Sequence, residues 1–134
     1  MKITGYPVEE GWAEGEVVVS PKPITFYGGV DPATSEIVEP GHPLQGVALK
    51  GKILIFPHSK GSTVGSYIIL RMAKRGTAPA AIITVKPDEV VIVGCIIGHV
   101  PSMTRIDEVV LSRVKTGSRG ILHVGKEYAE LLLE

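Results

Sequence analysis

Two short apolar runs, Lys52–Phe56 and Ala80–Val85, enclose a segment with helical periodicity, and no other feature constrains the fold so tightly. Between them Gly65, Ile68, Ile69, Met72, Ala73 and Gly76 follow the i, i+3, i+4, i+7, i+8, i+11 spacing of one buried helix face. Ser62 stands where a side chain caps the N-terminus, and Gly76 where a left-handed residue ends a helix. Arg71, Lys74 and Arg75 fall in the last turn, where cations complement the helix dipole. Strand, helix and strand within about thirty residues predict a βαβ unit, parallel and right-handed.

Elsewhere 16 Gly and 10 Pro cut the chain into short pieces. Glu16–Val19 reads as a strand stopped by Pro21 and Pro23. Phe26–Gly46 reads as a loop, because Gly28-Gly29, Asp31-Pro32, Pro40-Gly41 and Pro43 oppose regular structure. So long a loop in a compact domain is usually functional or a binding surface. Val90–Ile97 is a third apolar run, interrupted by Gly94, and Gly98-His99-Val100-Pro101 turns the chain. Ile106–Leu111 fits a short helix or a strand. Gly120–Val124 reads as a strand and Lys126–Leu133 as a short C-terminal helix. The expectation is one α/β domain over residues 1–134, with a central βαβ unit and β-rich flanks.

The charge balance, 14 basic against 14 acidic residues, provides no field for nucleic acid or an anionic membrane, and 5% aromatic content provides no stacking platform. No apolar run reaches the roughly 18–20 residues that span a bilayer, and the N-terminus lacks a signal-peptide pattern, so a cytoplasmic location is expected. Cys95 is the single cysteine. It cannot form a disulfide within the chain, and it falls short of the three or four thiolates an iron–sulfur centre normally takes. With no Asn and a single Gln, Gln45, the composition fits a heat-adapted source.

Chemistry is expected in the run from Pro57 to Tyr67. A Gly61-Ser62-Thr63 triplet at a strand-to-helix turn puts hydroxyls beside amides that lack an intrahelical partner. On its local sequence alone, Ser62 reads first as a helix cap. Thr63 and Ser66 read as capping and helix-surface hydroxyls, and Lys60 as a nearby charge. Gly28, Gly29 and Asp31 fit a substrate or subunit-contact loop equally as well as a tight turn in which Asp31 bonds its own backbone. His42 and His58 read first as solvated loop residues, with an anion or acid–base role second. His99 and His123 are assigned to structure, Cys95 to a small buried hydrophobe, and Arg113, Lys115 and Arg119 to a solvated face.

The order of motifs resembles the swivel domain of the aconitase X family. The matching pieces are Phe26-Tyr27-Gly28-Gly29-Val30-Asp31-Pro32, His42-Pro43-Leu44 with Gly46, Gly51-Lys52-Ile53-Leu54, Gly61-Ser62-Thr63 with Gly65-Ser66, and Gly76-Thr77-Ala78-Pro79-Ala80. The chain departs from the pattern at Ser35, where a glycine is expected, and at His99, where an apolar residue is usual. The resemblance implies a swivelling β/β/α fold and a small chain that completes the active site of a larger one. It implies that Ser62 is the proton acceptor, and Gly61, Thr63, Lys60, Gly28, Gly29 and Asp31 are the candidates for the substrate-binding or active-site loop around it. It further implies an iron–sulfur cluster, 4Fe–4S, on the large partner subunit and no metal on this chain. The implied reaction is loss of water from (R)-5-phosphomevalonate to an anhydromevalonate 5-phosphate in isoprenoid synthesis.

Such a dehydration needs a base for the proton α to the carboxylate, a Lewis acid for the departing hydroxyl and cations for the anionic substrate. Serine serves as that base only where dipoles and charges are aimed at its alkoxide in a closed site. Other readings stay open at this point: dehydration of another hydroxy acid such as hydroxyproline, a phosphohistidine-type swivelling carrier that would use His58, or a non-catalytic interaction module.

Overall fold

The computed structural model describes residues 1–134. The body is a closed seven-stranded barrel. Its strands are β1 (Lys2–Glu9), β2 (Gly11–Val19), β4 (Ile53–Phe56), β6 (Ala81–Thr84), β7 (Ser102–Thr104), β8 (Arg119–Val124) and β9 (Ala129–Leu133), arranged in the order β1-β7-β6-β4-β2-β8-β9. The run β2-β4-β6-β7 is parallel, and the remaining pairs are antiparallel. A separate two-stranded ladder joins β3 (Ile24–Thr25) to β5 (Ser59–Lys60). Helices α1 (Gly65–Arg75) and α2 (Glu89–Gly98) carry the crossovers β4-α1-β6 and β6-α2-β7, and α3 (Val110–Arg113) is one short turn. The expected parallel βαβ unit is present, in β-rich flanks, and a second one follows it.

Strand alternation divides the buried side chains between two cores. Val17, Val19, Ile53, Ile55, Ala81 and Ile83 point into the barrel with Leu122, Val124 and Leu131. Their neighbours Val18, Leu54, Phe56 and Ile82 point outward, beneath Ile68, Ile69 and Met72 of α1 and Val90, Val91 and Cys95 of α2. Strands covered on both faces read as continuous apolar runs, which is why β4 and β6 stand out in the sequence. The long loop after β3 packs Val30, Ile37, Leu44 and Leu49 into the same outer core and closes on itself through bridges Val30–Ile37 and Glu36–Ala48.

α1 ends as expected. Gly76 is left-handed (φ 76°), and the Thr77 amide donates to the Met72 carbonyl at 2.8 Å. One element overturns its expectation, and two others take a form that the sequence left open. The apolar run interrupted by Gly94 is a helix, α2, in which Gly94 packs directly against α1. A Cβ there would lie 2.7 Å from Ile69 Cδ1. Residues 126–133, expected to be helical, contain β9, because pairing with β1 on one side and β8 on the other outweighs the helix propensity of Ala, Glu and Leu. The N-terminal strand β1, with no strong sequence signal, closes the barrel between β7 and β9. No helix is long and apolar enough to cross a membrane.

Candidate active site

The run from Pro57 to Tyr67 leaves the end of β4, passes through β5 and enters α1. Parallel pairing of Ile24 with Ser59 and of Thr25 with Lys60 sets Tyr27-Gly28-Gly29 beside Gly61-Ser62-Thr63. The two loops singled out in the sequence therefore meet, with Thr25 between them. A Cβ on Gly61 would lie 2.9 Å from Thr25 Cγ2, and one on Gly29 would overlap the Thr25 carbonyl oxygen. Gly61 also has φ +89°, which other residues adopt only with strain. Thr25 carries no sequence signal for this role, since it becomes adjacent only through the ladder.

Ser62 is exposed, and its Oγ accepts a hydrogen bond from the Val64 amide at 3.1 Å. It does not cap α1. The N-cap is Val64, without a side-chain bond, because the chain enters the helix through successive tight turns. The amides of Gly65, Ser66 and Tyr67 donate to the carbonyls of Ser62, Thr63 and Val64 at 3.0, 3.2 and 2.9 Å. Thr63 is exposed. Ser66, expected on the surface, is buried and donates to the Val90 carbonyl at 2.8 Å, fastening α1 to α2. Lys60 Nζ lies 3.4 Å from Glu39 Oε2, so its charge is shared with a carboxylate from the long loop. Gly28 (φ +88°) has open space around it. Asp31 Oδ1 accepts from the Ala33 amide at 2.9 Å, the self-bonded turn that was one of its two readings.

Ser59, three residues before Ser62, is gripped from the body. Its amide and its hydroxyl donate to the two oxygens of Asp88 at 3.0 and 2.6 Å, and the same carboxylate caps α2 by accepting from the Val91 amide at 2.9 Å. Neither residue is among the candidates that the sequence points to. An Asp three positions before Val91, at the head of an apolar run, was the cap signal to find.

His42 is buried, in contrast to the solvated residue expected. Its Nδ1 accepts from the Leu44 amide and its Nε2 faces the Pro23 carbonyl, both at 3.0 Å, which places the ring proton on Nε2. His58 is half-buried, with Nδ1 2.8 Å from the Ser59 carbonyl. His99 ends α2 in a left-handed conformation and pairs with Glu9 at 3.1 Å, and His123 on β8 packs edge-to-face on Tyr128. Arg113 and Lys115 border a surface hollow with Met1 and Glu134. None of the three hollows on the molecule includes Gly28, Gly61 or Ser62. Cys95 is fully buried, and no three His, Cys, Asp or Glu side chains gather as metal ligands. The residues present do not fit an iron–sulfur cluster.

A closed barrel with two helices on its parallel face and an exposed Gly-Ser-Thr loop at a strand-to-helix junction defines a swivelling β/β/α domain. The aconitase X swivel domain model matches residues 2–131, and the chain belongs to that family. A phosphomevalonate dehydratase small subunit from Pyrococcus furiosus is 50% identical over 89% of this chain and 87% of its own length. One from Pyrococcus horikoshii is 42% identical over 100% of this chain and 98% of its own. The crystal structure of Thermococcus kodakaraensis aconitase X in its holo-form superposes with a TM-score of 0.90 at 40% identity, covering 98% of both chains.

Proposed function

We propose that residues 1–134 form a single swivel domain, the small subunit of a heteromeric hydro-lyase that dehydrates (R)-5-phosphomevalonate to an anhydromevalonate 5-phosphate. The observation that carries this reading is 40–50% identity, over 87–100% of the chain, to archaeal proteins named phosphomevalonate dehydratase small subunits. The same relatives favour it over a hydroxyproline-type dehydratase and over a phosphohistidine carrier. We place the assembly in the cytoplasm, where a phosphorylated substrate is retained.

Ser62 is the proton acceptor in this proposal and takes the proton α to the substrate carboxylate. To do so it must be ionised, and within this chain only the Val64 amide bonds its Oγ while Lys60 is paired with Glu39. The alkoxide therefore needs cationic groups from the large subunit, and the small subunit alone is expected to be inactive. Gly61 and Thr63 flank Ser62, with Lys60 one residue further, and we assign Gly28, Gly29 and Asp31 to the other side of the substrate. Exposed Tyr27, Val64 and Tyr67 make an apolar rim around this open loop, and the large subunit would cover it. We assign the 4Fe–4S cluster to that subunit.

The test is anaerobic turnover of 5-phosphomevalonate by this chain with its large subunit, wild type against Ser62→Ala. Activity only in the mixture, falling at least a hundredfold in the variant while the complex still forms, is expected. Wild-type turnover by Ser62→Ala would move the base to the other chain.

A further inference from the structure

The geometry points to Asp88 as the positioning residue of the Ser62 loop, an inference that rests on the proton-acceptor reading of Ser62. A catalytic serine on an exposed loop needs a fixed backbone beneath it, because small displacements of a reacting group are expensive in rate. The loop has few attachments. β5 contributes only two residue pairs with β3, and Ser62 Oγ bonds only within its own turn. The strongest tie to the body is the Asp88 carboxylate, which receives both the amide and the hydroxyl of Ser59 while capping α2. Ser59 is buried and Asp88 half-buried, so these bonds are partly shielded from competing water.

A helix cap alone requires one acceptor oxygen, whereas Asp88 uses both. Oδ2 serves the Ser59 amide only, and Oδ1 takes the Ser59 hydroxyl and the Val91 amide. The second oxygen is the part that capping does not explain. It ties the loop to the start of α2, so α2 and the Ser62 loop move as one body.

The two roles separate in Asp88→Asn. Asn caps helices about as well as Asp, but it presents one oxygen and one N–H₂ group, so at least one of the three donors loses its acceptor. Ser59→Ala removes the hydroxyl bond and leaves the cap untouched. In the assembled enzyme we expect kcat to fall about tenfold to a hundredfold in Asp88→Asn, with KM within about twofold of wild type. We expect a smaller fall in Ser59→Ala, and a double variant no worse than Asp88→Asn. Amide hydrogen exchange on the full chain is the readout independent of turnover. Exchange at Val64, Gly65 and Ser66, whose amides bond Ser62 Oγ and the Ser62 and Thr63 carbonyls, should accelerate at least tenfold in Asp88→Asn, while the interior amides of α1 and α2 stay as slow as in wild type.

Unchanged loop exchange in Asp88→Asn overturns the inference, whatever Ser62 does. So does wild-type kcat in a variant whose loop exchanges fast, when Ser62→Ala is dead. Full turnover by Ser62→Ala overturns the proton-acceptor reading instead.

Discussion

Gly94→Ala sets two opposing effects against each other at the α1–α2 contact. In an isolated helix the change is favourable by about 1 kcal/mol, because Gly is the poorer helix former. In this protein the added Cβ would sit 2.7 Å from Ile69 Cδ1, 3.0 Å from Ile69 Cβ and 3.2 Å from the Ser66 carbonyl oxygen. The Cδ1 atom can swing away, but the branched Cβ and the main-chain oxygen cannot, so the helices must part. Ser66 resists parting through its hydrogen bond to Val90. Overpacking of this kind costs about 1–3 kcal/mol, and two immovable contacts place it in the upper half of that range. The expected net loss is about 1–2 kcal/mol, read in urea as a midpoint lower by roughly 0.5–1 M at constant m-value. Ile69→Val alone should lose about 1 kcal/mol, but combined with Gly94→Ala it should lose less than the sum, because it removes the nearest clashing atom. A Gly94→Ala protein as stable as wild type would show that propensity dominates and that the helix contact is looser than the structure indicates. Strict additivity with Ile69→Val would clear the Cδ1 atom and leave the Ile69 Cβ and the Ser66 carbonyl as the cause.

Two further outcomes follow from buried groups. Burial pushes the Cys95 thiol up to about 12 from its ordinary 9.0, with the nearby Ser102 hydroxyl opposing the rise and the charges of Asp88 and Glu9 adding to it. The unfolded thiol loses its proton near pH 9.0 while the native one holds it to about 12, so the native state loses stability as pH rises through that window. The slope is about 1.4 kcal/mol per pH unit, and it should vanish in Cys95→Ala; urea midpoints of the two proteins that run parallel from about pH 8 to 11 would refute this. Ser35 is buried at φ +62°, the left-handed geometry that accounts for the glycine expected there, and its Oγ accepts from the Lys50 amide at 2.9 Å. Ser35→Ala keeps the strain and loses the bond, a loss of about 1–2 kcal/mol, whereas Ser35→Gly loses the bond but relieves roughly 1 kcal/mol of strain. Urea unfolding should rank Ser35→Gly above Ser35→Ala, and the reverse order would mean that the backbone there is unstrained.

The sequence by itself determined the elements whose signal is local. α1 was legible because its buried face repeats at the helical period and Gly76 closes it. β4 and β6 were legible because burial on both faces makes an unbroken apolar run. The burial of Cys95 was readable from its place in an apolar run, the Asp31 turn was one of two readings left open, and the family resemblance singled out Ser62. Tertiary structure decided the rest. α2 is apolar on nearly every side, with Val93, Ile96 and Ile97 exposed as well as Val90, Val91 and Cys95 buried, so no period marks it as a helix. β9 has helix-forming residues and becomes a strand because two neighbours offer it hydrogen bonds along both edges. Whether Ser62 caps a helix, whether His42 meets solvent, and which residues stand beneath the active loop are questions of adjacency. Thr25, Ser59 and Asp88 come together only through a two-pair ladder and one carboxylate, contacts between segments far apart in the chain that no local pattern encodes.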